Sequence, residues 1–344
     1  MKAFVLAAGA GTRLRPLTSD IPKPMVPVLG RPAIYHTLMN LKKNGFCDIC
    51  VNLFYKPEVI TEYFKDENIG VNLTFSPEKK LLGTAGAVKK NESFFDDTFC
   101  VMSGDGLSDA DLRKILNFHK KNKALATIAL KNIDERFEYG VTVTDKNGKV
   151  KSFIEKPYLK DVFESAVNTG MYFFEPEIFD YIPKNKFFDF GKDLFPLLLK
   201  NNKRVFGCVF DGYWTDIGNI YEYKKGVFDA LSGKLKLYKS LGKYVSASAK
   251  IDKTAKILAP CFIDDGVKIG KNAVIKPYSV LSKNVSVKDN AEISKSIIWE
   301  DAVVGKNAKA DNTVVGYKAQ IPDDIILFDS ILITETANKR VKRK

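Results

Sequence analysis

The stretch Val267-Lys268-Ile269-Gly270-Lys271-Asn272-Ala273-Val274-Ile275-Lys276-Pro277-Tyr278-Ser279-Val280-Leu281 places a large aliphatic residue at every sixth position, at Ile269, Ile275 and Leu281. Working outward, the same phase reaches Val245, Ile251, Ile257 and Ile263 upstream, then Val287 and Ile293 downstream, with Trp299 also in phase. Four residues after each aliphatic stands a small or branched side chain: Ala249, Ala255, Cys261, Val267, Ala273, Ser279, Val285, Ala291, Ile297 and Val303. A helix repeats every 3.6 residues and a strand every 2, so neither produces this spacing. A hexapeptide repeat predicts a parallel β-helix, three hexads to a triangular coil, with the aliphatics stacked inside. Counting forward, the phase slips by one residue after Val303, and Val304-Gly305-Lys306-Asn307-Ala308-Lys309 resumes it. Each coil buries its faces only against neighbours, so the ends need caps, and residues 320–337 are expected to supply the last one. The expected division is a first domain over 1–235, β-helix over 244–320, and cap with basic tail over 321–344.

Upstream of the repeat the period changes. Lys2–Ala7, Asp48–Leu53, Asn72–Ser76, Phe99–Met102 and Ala124–Leu130 read as strands, and Ala33–Asn44, Pro57–Lys65 and Leu112–Asn122 as helices. Ile220 to about Leu237 reads as a connecting helix. Alternating strands and helices predict an α/β fold, a Rossmann-like, mostly parallel mixed sheet with helices on both faces. Ligands on such sheets bind at the carboxyl ends of the strands.

Composition narrows the function. At 344 residues, 45% hydrophobic and 28% charged, the chain can bury a sizeable core and is not mainly disordered. Its apolar runs are too short to cross a bilayer, and the glycine-rich loop straight after the first strand argues against a signal peptide. These features predict a cytoplasmic protein without a membrane partner. Five cysteines with a single Cys47-x-x-Cys50 pair, and two histidines in all, argue against a zinc site or a His-centred hydrolase. The net charge is +13, and residues from 234 onward carry 21 Lys+Arg against 12 Asp+Glu. The basic end reads as a solvated terminus, and no nucleic-acid partner is expected.

The chemistry lies in the first domain. Leu6-Ala7-Ala8-Gly9-Ala10-Gly11-Thr12-Arg13-Leu14 follows the first strand. Two glycines let the backbone approach phosphates, and Arg13 adds a forked donor. The loop lacks the third glycine of a dinucleotide fingerprint and the Gly-Lys-Ser/Thr of a P-loop. Pro22-Lys23-Pro24 then holds a second cation in a stiff frame. With Gly104-Asp105, Glu155-Lys156-Pro157, Asn168-Thr169-Gly170 and Trp214-Thr215-Asp216 in that order, the chain resembles the sugar-1-phosphate nucleotidylyltransferases, or nucleotide-sugar pyrophosphorylases. Leu82-Gly83-Thr84-Ala85-Gly86-Ala87 and Val101–Asp105 look most like the mannose-1-phosphate guanylyltransferase branch, although Ser103 stands where several branches have Asn.

The resemblance implies a left-handed β-helix and transfer of a nucleotidyl group from a nucleoside triphosphate to a sugar 1-phosphate, with release of pyrophosphate. It implies GTP and mannose 1-phosphate as substrates, with Arg13, Lys23, Asp105, Lys156 and Asp216 as the catalytic residues. Asp105 and Asp216 would hold Mg2+, an ion that favours few carboxylates plus phosphate oxygens. Leu6, Ala8, Gly9, Gly11, Thr12, Arg13, Gly83 and Thr84 would bind the nucleotide. Gly140, Glu155, Lys156, Asn168, Thr169 and Trp214 would bind the sugar phosphate. The β-helix would serve as a platform for a homo-oligomer. Two alternatives stay open: a sister enzyme using glucose 1-phosphate with UTP, dTTP or ATP, or a heptose phosphate, and a non-catalytic regulatory relative. An acyltransferase reading of the repeat is disfavoured because the repeat carries no histidine.

Overall fold

A computed structural model describes residues 1–132, 141–154, 166–236 and 242–334. They fall into two compact units: Met1–Arg13, Asp20–Val26 and Pro32–Tyr223 form one, and Leu14–Ser19, Pro27–Arg31 and Lys224–Lys344 the other.

In chain order the first unit runs β1 (Lys2–Leu6), α1 (Ala33–Lys43), β2 (Asp48–Leu53), α2 (Pro57–Lys65), β3 (Asn72–Pro77), α3 (Gly83–Lys90), β4 (Phe99–Ser103) and β5 (Gly106–Ser108). It continues with α4 (Leu112–Lys121), β6 (Ala126–Lys131), β7 (Val141–Thr144), β8 (Val150–Ile154), β9 (Ala166–Phe174), α5 (Phe195–Lys200), β10 (Val205–Val209) and β11 (Trp214–Asp216). The main sheet has the order β8-β7-β9-β4-β1-β2-β3, and β6 joins β9 to β10. Strands β4, β1, β2 and β3 are mutually parallel, and β9 is antiparallel to both β4 and β6.

Alternation along the strands sorts side chains to two faces. Ala3, Val5, Ile49, Val51, Cys100 and Met102 pack with Ile34 and Leu38 of α1, Ile60 of α2 and Ile115 of α4. Phe4, Cys50, Phe99 and Val101 face the other way, onto Ala85 and Val88 of α3 and Leu198 of α5. That second layer is aromatic: Phe99 stacks on Phe95 at 4.1 Å and lies parallel to Phe179 at 5.5 Å between ring centroids. The Cys47-x-x-Cys50 pair is split by the surface, Cys47 exposed and Cys50 buried. Burial pushes the Cys50 thiol up to about 11, so it is a poor source of thiolate for a metal. Among the described residues no helix is long and apolar enough to cross a membrane.

The second unit is a parallel β-helix of three sheets, each climbing the stack through every third short strand. Ile263, Ile269, Ile275, Leu281, Val287 and Ile293 all point inward, as the hexads predict. The phase slip, however, comes one hexad earlier than counting suggests. Leu281 pairs with Ile298, seventeen residues on, and not with Trp299. Ser296 occupies the small position that the count assigns to Ile297, and its hydroxyl accepts from the Thr313 N–H at 3.0 Å. Ala302 likewise replaces Val303 in the interior. Each later coil is shorter by one residue at the same corner, as the pairing of Val315 with Ile298 and with Leu332 repeats. Trp299 stays buried nonetheless, edge-on to Tyr317.

The ladder also runs further than expected. Ile326–Phe328 and Ile331–Leu332 pair in register with the coil below, so residues 320–334 extend the stack where a cap was expected. Corner residues adopt left-handed backbone angles, among them Asn272, Asn290, Asn307 and Asp324, at φ 54 to 62°. Asparagine tolerates this conformation, and here its side chain also pays its way in an amide ladder, from Asn272 to Asn290 to Asn307 to Asp324. The outer face of one sheet, carrying Phe262, Val280, Ile297 and Val314, is buried too. From Lys224 onward the helix Ile220–Leu231 (α6) packs in this unit, with Phe228 edge-on to Tyr278 and Lys224 Nζ donating to the Asn312 carbonyl at 2.7 Å.

Candidate active site

Four parallel strands end together, and the residues just past their carboxyl ends form the site. After β1, the Ala7 N–H donates to Asn52 Oδ1 at 2.8 Å, at the end of β2. Asn52 Nδ2 donates to Glu78 Oε1 at 2.7 Å, just past β3, and Glu78 Oε2 accepts from the Leu82 N–H at 3.0 Å. This chain of buried bonds fixes the tips of three strands and the entry to α3 relative to one another. On the other side of β1, the Gly104 N–H donates to the Leu6 carbonyl at 2.9 Å. A Cβ on Gly104 would stand 3.0 Å from that oxygen, so glycine here lets β4 deliver Asp105 beside the first loop.

Asp216 arrives by a different route. The ribbon of β5 and β11 is antiparallel and pairs Asp216 with Gly106, which brings it next to Asp105. Thr37 of α1 clamps that turn by donating to the Ser103 and Gly106 carbonyls. Lys23 lies in a 3-10 turn framed by Pro22 and Pro24. Its ammonium stands 2.5 Å from Asp105 Oδ2 and 3.0 Å from Asp216 Oδ1. The Arg13 guanidinium lies on the same side of Asp216: a Cβ on Gly218 would be 2.8 Å from Asp216 Oδ2 and 3.5 Å from an Arg13 nitrogen.

Burial acts to lower the Lys23 pKa, but the two carboxylates, each paired and hydrogen-bonded to it, outweigh burial and hold the amine above its ordinary value. Asp216 is also raised, first by burial and further by Asp105, against the opposing pull of Lys23 and Arg13. The two directions agree physically. One ammonium shared by two half-buried carboxylates is well satisfied, whereas Asp216 remains under-neutralised. This donor set fits a divalent cation, which needs oxygen ligands and more positive charge than a lysine brings. Among the described residues no group of three or more His, Cys, Asp or Glu could hold a metal, so Asp105 and Asp216 would share such an ion with other oxygens.

A cleft of about 330 Å³ opens beside this cluster. Of the residues read as nucleotide-binding, Leu6, Ala8, Gly9, Gly83 and Thr84 line it, together with Asp105. Gly11, Thr12 and Arg13 do not line it; Thr12 and Arg13 are exposed on the loop beyond. Gly83 has φ +74°, and a Cβ there would stand 2.5 Å from the Phe188 carbonyl. That same carbonyl accepts from the Ala85 and Gly86 N–H groups, so the start of α3 is sealed against the 186–190 segment. Thr84 Oγ1 donates to Asp189 Oδ2 at 2.9 Å.

Sequence reading missed Asn52, Glu78, Leu81, Phe187 and Asp189, all of which line the cleft. Asn52 and Glu78 carried a usable signal: each is a polar residue at or just past the carboxyl end of a parallel strand. Phe187, 63% exposed, carried none.

The sugar-side residues are only partly brought together. Asn168, Thr169 and Gly170 form a bulge in β9, and because β9 is antiparallel to β4 the bulge lies at the carboxyl end of β4. A Cβ on Gly170 would meet Ser103 Oγ at 2.6 Å. Asn168 is half-buried, with Nδ2 donating to the Tyr172 hydroxyl. Thr169 is buried and its hydroxyl donates to the Ala129 carbonyl at 2.8 Å, while Trp214 Nε1 donates to the Thr169 carbonyl at 3.0 Å. The last two bonds tie the bulge to β6 and β11. Gly140, Glu155 and Lys156 lie outside the described residues. A larger groove, of about 750 Å³, lies at the amino ends of β4 and β6. Its acidic lining (Asp97, Glu175, Glu177, Asp180) is matched by its basic lining (Lys120, Lys123, Lys203, Arg204), and it has no part of the cluster above.

The cleft, with two cations and two carboxylates clustered beside it, thus lies at the carboxyl ends of parallel strands, where doubly wound sheets bind their ligands. The model of the family described as Nucleotidyl transferase matches residues 2–232, and that of the GMPPB C-terminal domain residues 242–344. The chain belongs to the nucleotidyl transferase family. It is 37% identical to a UTP–glucose-1-phosphate uridylyltransferase from Synechocystis, over 92% of this chain and 87% of that protein. It is 34% identical to a mannose-1-phosphate guanyltransferase from Candida albicans and 32% identical to mannose-1-phosphate guanylyltransferase 1 from Arabidopsis thaliana, each over 94% of this chain and 93% of the relative.

Proposed function

We propose that this nucleotidyltransferase joins GTP and mannose 1-phosphate into GDP-mannose, releasing pyrophosphate. The observation that carries the transfer chemistry is the convergence of Arg13, Lys23, Asp105 and Asp216 beside the strand-end cleft. A sugar-phosphate oxygen forms a bond to the α-phosphorus, and the bond from that phosphorus to the bridging oxygen of the leaving pyrophosphate breaks. Both reactants are anions, so the work of the residues is to hold them in line and to neutralise charge. Arg13 and Lys23 orient the triphosphate and receive the charge that develops on pyrophosphate. Lys156 and the Asn168 bulge hold the sugar phosphate. Asp105 and Asp216 would hold Mg2+, which supplies charge neutralisation on the phosphate oxygens. No covalent nucleophile on the protein is needed.

The choice of GTP rests on Glu78. It is buried in the cleft, and each carboxylate oxygen accepts one bond from the protein, which leaves lone pairs free, since a carboxylate has about four acceptor sites. An acceptor-only group suits the N1–H and exocyclic amine of guanine. It opposes the two carbonyls that flank the single N–H of uracil. Leu81 and Phe187, both exposed at the cleft mouth, offer apolar faces to a flat base.

The Synechocystis relative favours a second reading, UTP with glucose 1-phosphate. Pyrophosphate release, measured with Mg2+ for GTP, UTP, dTTP, ATP and CTP against mannose, glucose and heptose 1-phosphates, separates the two. The strongest signal is expected with GTP and mannose 1-phosphate. A stronger one with UTP and glucose 1-phosphate selects the second reading, and silence from folded protein removes both. Five free cysteines accord with a reducing cytoplasm, and exposed Ile326 and Phe328 on the last coil support a homo-oligomer formed through the β-helix, which sedimentation would test.

A further inference from the structure

The Lys23 ammonium lies where the two aspartates converge. It is within hydrogen-bond distance of one oxygen of each, and its side chain is 10% exposed. The second oxygen of Asp216 faces Gly218, where a Cβ would stand 2.8 Å from it. The proline-framed turn, closed by the Met25 N–H donating to the Pro22 carbonyl at 2.8 Å, fixes where the lysine backbone sits. A divalent cation bridging the same two oxygens would have to take the place of this ammonium.

Resting on the assignment of Asp105 and Asp216 as the metal pair, we infer that Lys23 is a built-in counter-cation that keeps this pair closed to a lone divalent ion. Its ammonium leaves only when a triphosphate offers it other anionic oxygens. Two half-buried carboxylates side by side repel each other, so Lys23 also holds the pair together. A buried lysine does not give up two charged partners for water. Cation and triphosphate binding are thereby coupled through one side chain, and each strengthens the other by the same factor. The device gates loading: a bare cation is resisted, and a cation that arrives with nucleotide is accepted.

The test uses Mn2+ alone, read by electron paramagnetic resonance and by thermal denaturation, with no nucleotide and no turnover. In Lys23→Met the competing charge is gone and the side-chain length is nearly kept. Free Mn2+ should bind this variant roughly 10-fold or more tightly than it binds the parent chain, within the usual range of coupling, and should raise its Tm by more. If Lys23→Met is unfolded without metal, Mn2+ should fold it. Equal or weaker Mn2+ binding in the variant, or failure of Mn2+ to fold it, overturns the inference. In Lys23→Met with Asp216→Asn the gain should vanish; if the gain persists, the ion sits elsewhere and the inference falls. Because neither substrate takes part, silence in the pyrophosphate assay would defeat the functional reading without deciding this one.

Discussion

The β-helix and the candidate active site solve opposite problems. In the β-helix, side chains meet partners 17 or 18 residues away, over and over, as the hydrogen bonds from Asn290 to Asn307 and from Asn272 to Asn290 illustrate. In the active site, Lys23 meets Asp216 across 193 positions of sequence, and nothing in the local pattern of either announces the meeting. A stack repeats one local solution, so its order is spread over many equivalent contacts and each coil depends only on its neighbours. The site is a single convergence that depends on sheet order, on an antiparallel ribbon and on a proline-framed turn together. Periodic structure tolerates a local fault, whereas convergent structure does not.

Substitutions can sharpen or break that contrast. The largest effect is expected from Phe99→Ala, in the stacked aromatic layer beneath the site. It should cost about 3–5 kcal/mol in a denaturant titration, and a loss below 1 kcal/mol would mean that the layer is loosely packed. Next comes Asp216→Asn, which should lower kcat roughly 10²–10³-fold with Tm nearly unchanged, because it relieves a charge that is already under-neutralised. A fall in Tm matching the fall in rate would show the aspartate to be structural.

Glu78→Gln should shift the ratio of kcat/KM for GTP over UTP by about 10-fold or more toward UTP. An unchanged ratio would remove Glu78 from base selection. The smallest effect belongs to the stack. Asn290→Gly keeps the left-handed corner but deletes two links of the amide ladder, and should cost about 0.5–1.5 kcal/mol. Hydrogen exchange should rise only in the adjoining coils. A spread of exchange through the whole stack would break the contrast, since it would make the β-helix as cooperative as the site.

The fold was legible wherever period carries meaning. Alternation of strands and helices predicted both faces of the main sheet, and the hexads predicted the inward column from Ile263 to Ile293. Counting then failed at one corner. Ile298, not Trp299, continues the column, because a five-residue corner and a six-residue corner both close a coil, and neighbouring aliphatics at 297 and 298 leave the phase ambiguous. The site was legible as motifs but not as an arrangement. Gly9, Gly83, Thr84 and Asp105 do line the cleft. Thr169, read as a sugar contact, has its hydroxyl bonded to the Ala129 carbonyl, and Glu78 escaped notice because no motif marks it.

The sequence by itself determined the repeat, the alternating α/β order and the inventory of cations and carboxylates, since periodicity and residue chemistry are local properties. Only the tertiary structure decided that Lys23 stands between Asp105 and Asp216, that Asn52 and Glu78 seal three strand ends, and that Leu14–Ser19 and Pro27–Arg31, on either side of the Lys23 segment, belong to the second unit. Those outcomes depend on which strands become neighbours and in which direction they run. That choice is set by burial summed over the whole sheet, and no stretch of sequence contains it alone.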